Sequence, residues 1–274
     1  MSGMKQQRFY PVRRPIAAFF LGAAVAVLGG LIGLGGAEFR LPLLMMVFEL
    51  FPHRAIRINL LISLATLGVS GVSRLSFAGL GGIPSMEWEI AAMLTGGVIA
   101  AWFGAAALPA IPKARMMAVI AGLLIALSAL LMLEAAFAGA TGLVLPPDRV
   151  LRALSAFFAG LGVGAVSSLL GVAGGELIIP ILIFLFGADI ATAGTASVLI
   201  GTPAVLTGIA RHWLSGHYRS RTMLAFLVLP MSLGSAVGAL AGGYLAALAH
   251  ADGLKILLAV ILAASAWKLL SKPA

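Results

Sequence analysis

The chain has no cysteine, so a disulfide, a thiolate metal site and a cysteine nucleophile are all excluded. Charge is scarce as well: 10% of its 274 residues are Asp, Glu, Lys or Arg, against about 25% in an ordinary soluble domain. With 61% hydrophobic residues and a mean hydropathy of +1.11, this chain does not have water as its main solvent. In lipid the backbone satisfies its own hydrogen bonds only as helices or as a closed barrel. The apolar runs are continuous and lack period-two alternation, which leaves helices. No long polar stretch marks a separate soluble domain. No glycine cluster is followed by Lys-Ser or Lys-Thr either, so no nucleotide-binding loop and no cofactor is expected.

The net charge of +9 does not signal a nucleic-acid partner, because the basic residues sit between apolar runs, where they orient membrane helices. The basic N-terminus with its apolar run resembles a signal peptide. An equivalent run, Leu151 to Leu170, holds the same place in the second half, and the first is therefore expected to be a retained helix.

What the chain does have is a repetition. Gly33-Leu-Gly-Gly-Ala-Glu-Phe-Arg-Leu-Pro42 returns as Gly171-Val-Ala-Gly-Gly-Glu-Leu-Ile-Ile-Pro180, every position displaced by 138 residues. Each copy breaks an apolar run with glycines and places a glutamate after the break. A duplicated, glycine-broken membrane segment is the strongest sequence pointer to a transporter's binding site. The apolar runs give five segments per half. They are Ile16–Ile32, Glu38–Leu50, Ala55–Phe77, Trp88–Leu108 and Met116–Phe137, then Val150–Leu170, Glu176–Phe186, Ile190–Trp213, Met223–Leu248 and Leu254–Leu270. The expected fold is therefore an all-α integral membrane protein of two repeats, 1–140 and 141–274, forming one transmembrane domain.

With the N-terminus inside, thirteen of the 18 basic residues fall inside and four outside, while Arg40 stays within the membrane. That bias predicts cytoplasmic termini in a cell membrane. Five elements is an odd number, so the second half is expected to start from the opposite face as an inverted-topology repeat. Glu38 to Leu50 is thirteen residues, about 20 Å of helix, short of a hydrocarbon core near 30 Å. Each glycine turn is then expected part-way through the bilayer, and two such tips would build one central site.

The candidate site residues follow from this picture. Gly33, Gly35, Gly36 and Ala37, with Gly171, Gly174 and Gly175, allow tight turns and close backbone approach. The helix starts behind them offer free N–H groups to an anion, and Pro42 and Pro180 stiffen those starts. Glu38 and Glu176 are the residues that need a function. A charged side chain at mid-bilayer costs about 2.5–3.5 kcal/mol, which a helix dipole worth about 0.3–1 kcal/mol does not offset. A facing pair of carboxylates in a hydrated cavity makes proton carriage an expectation. Arg40, whose counterpart is Ile178, either neutralises Glu38 or holds an anion with its donor fork. Asn59 and Ser197, also 138 residues apart, line the site or bond between helices, with Ser63 and Thr195 nearby. Pro203 is expected to kink its helix. Glu49 and Glu134 read as segment-end residues, and the basic loop from Arg211 to Arg221 reads as an orientation signal.

The duplicated glycine turn, the short helix with its proline and the two-half organisation resemble the sulfite exporter TauE/SafE family, from about Ile16 to Leu270. The resemblance implies an inverted-repeat carrier of sulfite, organosulfonates or related small anions, with Gly33 to Ala37 and Gly171 to Gly175 as functional turns. The chain departs from the family pattern at Ala37 and Ala173. It also carries Glu38 and Glu176 where many members have an apolar residue.

The expectation is a secondary carrier for a small anion, with protons as candidate coupling partners and no assigned oligomeric state. A second reading makes the glutamates a cation or metal-ion carrier site. A membrane-embedded enzyme is disfavoured, since Asp148, Asp189 and Asp252 fall in loops, the four histidines lie at segment ends and no His-Glu-x-x-His occurs. A passive channel is the remaining reading.

Overall fold

Lipid leaves a continuous apolar run little choice of conformation, and helices form where the runs lie. The computed structural model describes residues 14–32, 36–77, 83–136, 144–218, 220–246 and 251–271, and among these there is no strand. The first half holds α1 (Pro15–Ile32), α2 (Ala37–Met46), α3 (Pro52–Phe77), α4 (Glu87–Ala107) and α5 (Lys113–Ala136). The second holds α6 (Arg149–Leu170), α7 (Gly175–Phe186), α8 (Ile190–Leu214), the single turn α9 (Arg221–Met223), α10 (Leu229–Ala246) and α11 (Ala251–Leu270). Among the described residues, six helical stretches are long and apolar enough to cross a membrane. Helix α7, Gly175–Phe186, is a shorter apolar helix. Large apolar side chains such as Phe20, Phe158, Tyr244 and Trp267 face outward, as a lipid-facing surface requires.

Three details differ from expectation. Helix α2 stops at Met46 rather than Leu50, and Glu49 beyond it takes a positive φ of 53° in the turn before Pro52. The segment expected as one helix from Met223 is interrupted by a π-helical turn, Leu224–Val228. Pro230 lies four residues after Phe226 and has no N–H for that residue's carbonyl, so regular α-helix cannot close there. Asp252 falls in the first turn of α11 rather than in a loop, whereas Asp148 and Asp189 cap α6 and α8 by accepting backbone N–H bonds. The expected ends at Phe137 and Leu248 lie outside the described residues.

Small residues let the helices close on one another. Helix α1 packs along α10, and α4 packs along α6. A Cβ on Gly234 would stand 2.0 Å from the Phe19 carbonyl oxygen, and one on Gly96 2.2 Å from that of Phe157. These two contacts are 138 residues apart on both partners. Gly160 and Gly164 approach the carbonyls of Met93 and Gly97 as closely, and Gly238 approaches that of Ala23. Backbone contact at this range is how helices associate where lipid removes any hydrophobic drive. The buried apolar side chains then fill around the two short helices. Leu41 and Leu44 of α2 share one buried cluster with Ile56 and Met116, and Ile178 and Leu182 of α7 share another with Val163 and Ile200.

The packing makes a contrast testable within α6. Gly160→Ala would place a methyl 2.1 Å from the Met93 carbonyl oxygen, whereas Gly162 has nothing within 4 Å. The first substitution is expected to cost about 1–3 kcal/mol as overpacking, and the second to be neutral or to stabilise by up to about 1 kcal/mol. Thermal unfolding in detergent reads both.

Candidate functional site

Both glycine breaks become helix starts of the same kind. Gly36, at φ 70° and ψ 18°, precedes α2, and Gly174, at φ 77° and ψ 7°, precedes α7. Only glycine takes this left-handed conformation without strain. Each also abuts the preceding long helix at an equivalent place. A Cβ on Gly36 would lie 2.6 Å from the Val25 carbonyl oxygen, and one on Gly174 2.6 Å from a Val163 methyl. No side chain caps either helix, although in α7 the Leu177 N–H turns back to the Gly174 carbonyl at 3.0 Å. Pro42 and Pro180, inside the two helices, have no N–H to give the carbonyls of Glu38 and Glu176 four residues earlier.

Glu38 and Glu176 are both buried, and no hydrogen-bond partner reaches any of their four carboxylate oxygens. They nonetheless stand close enough to each other to interact directly, and Arg40 acts electrostatically on both. The tips of the two halves therefore meet at this pair. As carboxylates they have no donor between them, and a single proton would make one the donor and the other the acceptor.

Arg40 is fully buried without a salt bridge to either glutamate. Its Nε donates to Asn59 Oδ1 at 3.0 Å, and its terminal nitrogens to Ser63 Oγ at 2.9 Å and Ser235 Oγ at 3.2 Å. Asn59 Nδ2 in turn donates to the carbonyls of Ala37 at 2.8 Å and Leu170 at 3.2 Å. Ser63 Oγ donates to the Gly171 carbonyl at 3.2 Å. Two side chains one turn apart on α3 thus bind both glycine breaks and position the guanidinium. The fork is engaged by neutral partners, so Arg40 contributes charge to the site while its geometry is held by α3 and α10.

The second half lacks this network. Ser197 lies beside Gly175, but its hydroxyl bonds the Gly194 carbonyl of its own helix at 2.8 Å. Gly201, the counterpart of Ser63, leaves room for the Ala173 carbonyl, 2.6 Å from where its Cβ would be. Thr195 bonds within α8 too. Of the expected site residues, Gly36, Ala37, Glu38, Arg40, Asn59, Gly171, Gly174, Gly175, Glu176 and Ser197 are all placed around the two tips. Gly33 and Gly35 lie outside the described residues. Ser235 was missed, because its counterpart in the first half is Gly97 and nothing in the repeat points to it.

The family model described as Sulfite exporter TauE/SafE matches residues 18–269. The chain belongs to that family. No curated protein and no solved structure matches it. A match over nearly the whole chain, with six apolar spans among the described residues, makes this TauE/SafE protein a multi-pass membrane transporter.

The asymmetry between the halves generates a prediction. Asn59→Ala leaves the Arg40 Nε and two tip carbonyls without their partner, and is expected to cost about 2.5–6 kcal/mol, from two neutral hydrogen bonds of about 0.5–1.5 kcal/mol each and one to a charged group of about 1.5–3 kcal/mol. Ser197→Ala removes one bond within a helix and is expected to stay within about 0.5–1 kcal/mol of the parent. Chemical or thermal unfolding of the two variants in detergent compares them directly.

Proposed function

We propose that this TauE/SafE protein is a secondary carrier for a small anion, a sulfur oxyanion or organosulfonate such as sulfite. It works by alternating access at the meeting point of the two tips, with protons carried on Glu38 and Glu176. The observation that carries this reading is the pair of buried carboxylates, without hydrogen-bond partners, at two uncapped helix starts. With both glutamates ionised, their charges and that of Arg40 sum to −1, and an anion is repelled. Two unit charges about 4 Å apart interact by about 4 kcal/mol near a hydrated protein surface. One proton makes the trio neutral, and a second makes it +1, leaving Arg40 and the helix N–H groups to attract the anion. Proton uptake and anion binding are therefore linked with the same sign.

Alternating access follows from an inverted repeat, in which the two halves of 1–140 and 141–274 exchange roles about a pseudo-two-fold axis. The matched contacts of α1 with α10 and of α6 with α4 support it. The thirteen-to-four bias of the basic residues supports cytoplasmic termini in a cell membrane. The cation-carrier alternative has less support. Hard cations take six or more oxygens, and among the described residues no three acidic or histidine side chains gather.

Proteoliposomes with an internal pH dye test the reading, with sulfite, ethanesulfonate or small carboxylates added outside. The parent is expected to move protons on anion addition. Glu38→Gln and Glu176→Gln are each expected to lose about tenfold or more of that flux, a change of about 1.4 kcal/mol or more. Flux that ignores every anion and answers to cations would overturn it.

A further inference from the structure

A second group of cations lies away from the tips, where α3 begins and α8 ends. A cleft of about 360 Å³ opens there, with Arg54, Arg57, His217, Tyr218 and Ser220 among its lining residues. Its apolar wall includes Leu224 and Val228, the two ends of the π-helical turn. Such turns are frequent at functional sites. Arg54 and Arg57 act on one another as like charges. Among the described residues the one ion pair is Arg152 with Glu89, on other helices, so no carboxylate balances these two guanidinium groups. The Arg54 side chain makes no hydrogen bond among the described residues, and Arg57 spends only its Nε, on the His53 carbonyl at 2.8 Å.

The neighbouring groups leave that charge unanswered. Burial first, and then Arg57, hold the His217 imidazole below its ordinary range, so at neutral pH it is a neutral hydrogen-bonding group. Burial raises the Tyr218 phenol, which stays protonated and donates to the Arg57 carbonyl at 3.1 Å. His212 is buried behind this loop, its ring against those of His217 and Tyr218, with Nε2 unpartnered. The cleft is separate from the central pair. Leu60, Leu67, Val205 and Ile209 form an apolar cluster against which Tyr218 and Leu61 of the cleft pack, as does Ala173 of the second tip.

We infer that this cleft is a second oxyanion-binding site, in which Arg54 and Arg57 hold a sulfonate-, sulfite- or phosphate-type group while His217 and Ser220 offer hydrogen bonds and Tyr218, its O–H spent on the Arg57 carbonyl, holds the backbone beside them. Two guanidinium groups with free planar donors match such a group in charge and geometry. The cleft's size suits a small ion or one lipid headgroup, and the shared chemistry is the oxyanion.

The test uses the full chain in neutral detergent, titrated calorimetrically with sulfite, ethanesulfonate and inorganic phosphate. A parallel arm places it in nanodiscs of phosphatidylcholine with or without phosphatidylglycerol and reads retained lipid by native mass spectrometry. Arg54→Gln, whose parent side chain anchors nothing, and Arg57→Gln are each expected to weaken oxyanion binding about tenfold or more, the loss of one charged hydrogen bond. Arg115→Gln, exposed at the start of α5 and outside the cleft, controls for general charge. Saturable binding of the free ions, lost in the two cleft variants, supports the site with a soluble occupant. Retained phosphatidylglycerol, lost in the same variants, supports it with a lipid headgroup. Binding that is absent from the parent, unchanged in both cleft variants or weakened equally by Arg115→Gln overturns it. Glu38→Gln is expected to leave cleft binding intact, so absence of proton flux with cleft binding retained counts against the carrier reading alone. Flux retained with no cleft binding counts against this site alone.

Discussion

Backbone that leaves the helix at membrane depth has carbonyls that lipid cannot solvate, and the amide of Asn59 is where this protein answers that constraint. Its nitrogen serves the Ala37 and Leu170 carbonyls while its oxygen receives the Arg40 guanidinium. One side chain therefore satisfies parts of both glycine breaks and fixes the position of a buried cation. A guanidinium in a low-dielectric interior is tolerable only when its donors are engaged and compensating charge is near. Asn59, Ser63 and Ser235 supply the first, and Glu38 and Glu176 the second.

This division of labour separates holding from binding. Arg40 directs its hydrogen bonds into the frame, so the frame keeps its geometry when the charge on the glutamates changes. The glutamates have no hydrogen-bond partners and are the least constrained polar groups in the centre. The proposed exchange of protons and an anion would need both properties at once: rigid donors that set the field, and unpartnered groups that change state. The helix contacts through Gly96, Gly160 and Gly234 serve the same end, since backbones this close leave little freedom for the tips to drift.

The halves share a plan and differ in what their side chains do. Gly36 and Gly174 have matching backbone conformations and abut matching valines. Asn59, Ser63 and Arg40 have no working counterparts, because Ser197, Gly201 and Ile178 stand in their places. The backbone plan is shared, while Asn59 and Ser63 of the first half bond carbonyls of both tips.

The sequence by itself determined that the chain is helical, where its helices lie, that two glycine-capped short helices interrupt them, and that one glutamate follows each break. Those features are legible because lipid forces apolar runs into helices and because a left-handed turn demands glycine, so each is written locally. Tertiary structure decided that the glutamates face one another, that Arg40 binds Asn59 and serines rather than Glu38, and that Arg54 and Arg57 share a cleft with a π-helical turn. The Arg40 bond to Ser235 spans 195 residues of sequence. No local pattern encodes it, because it exists only once α10 has been packed into place.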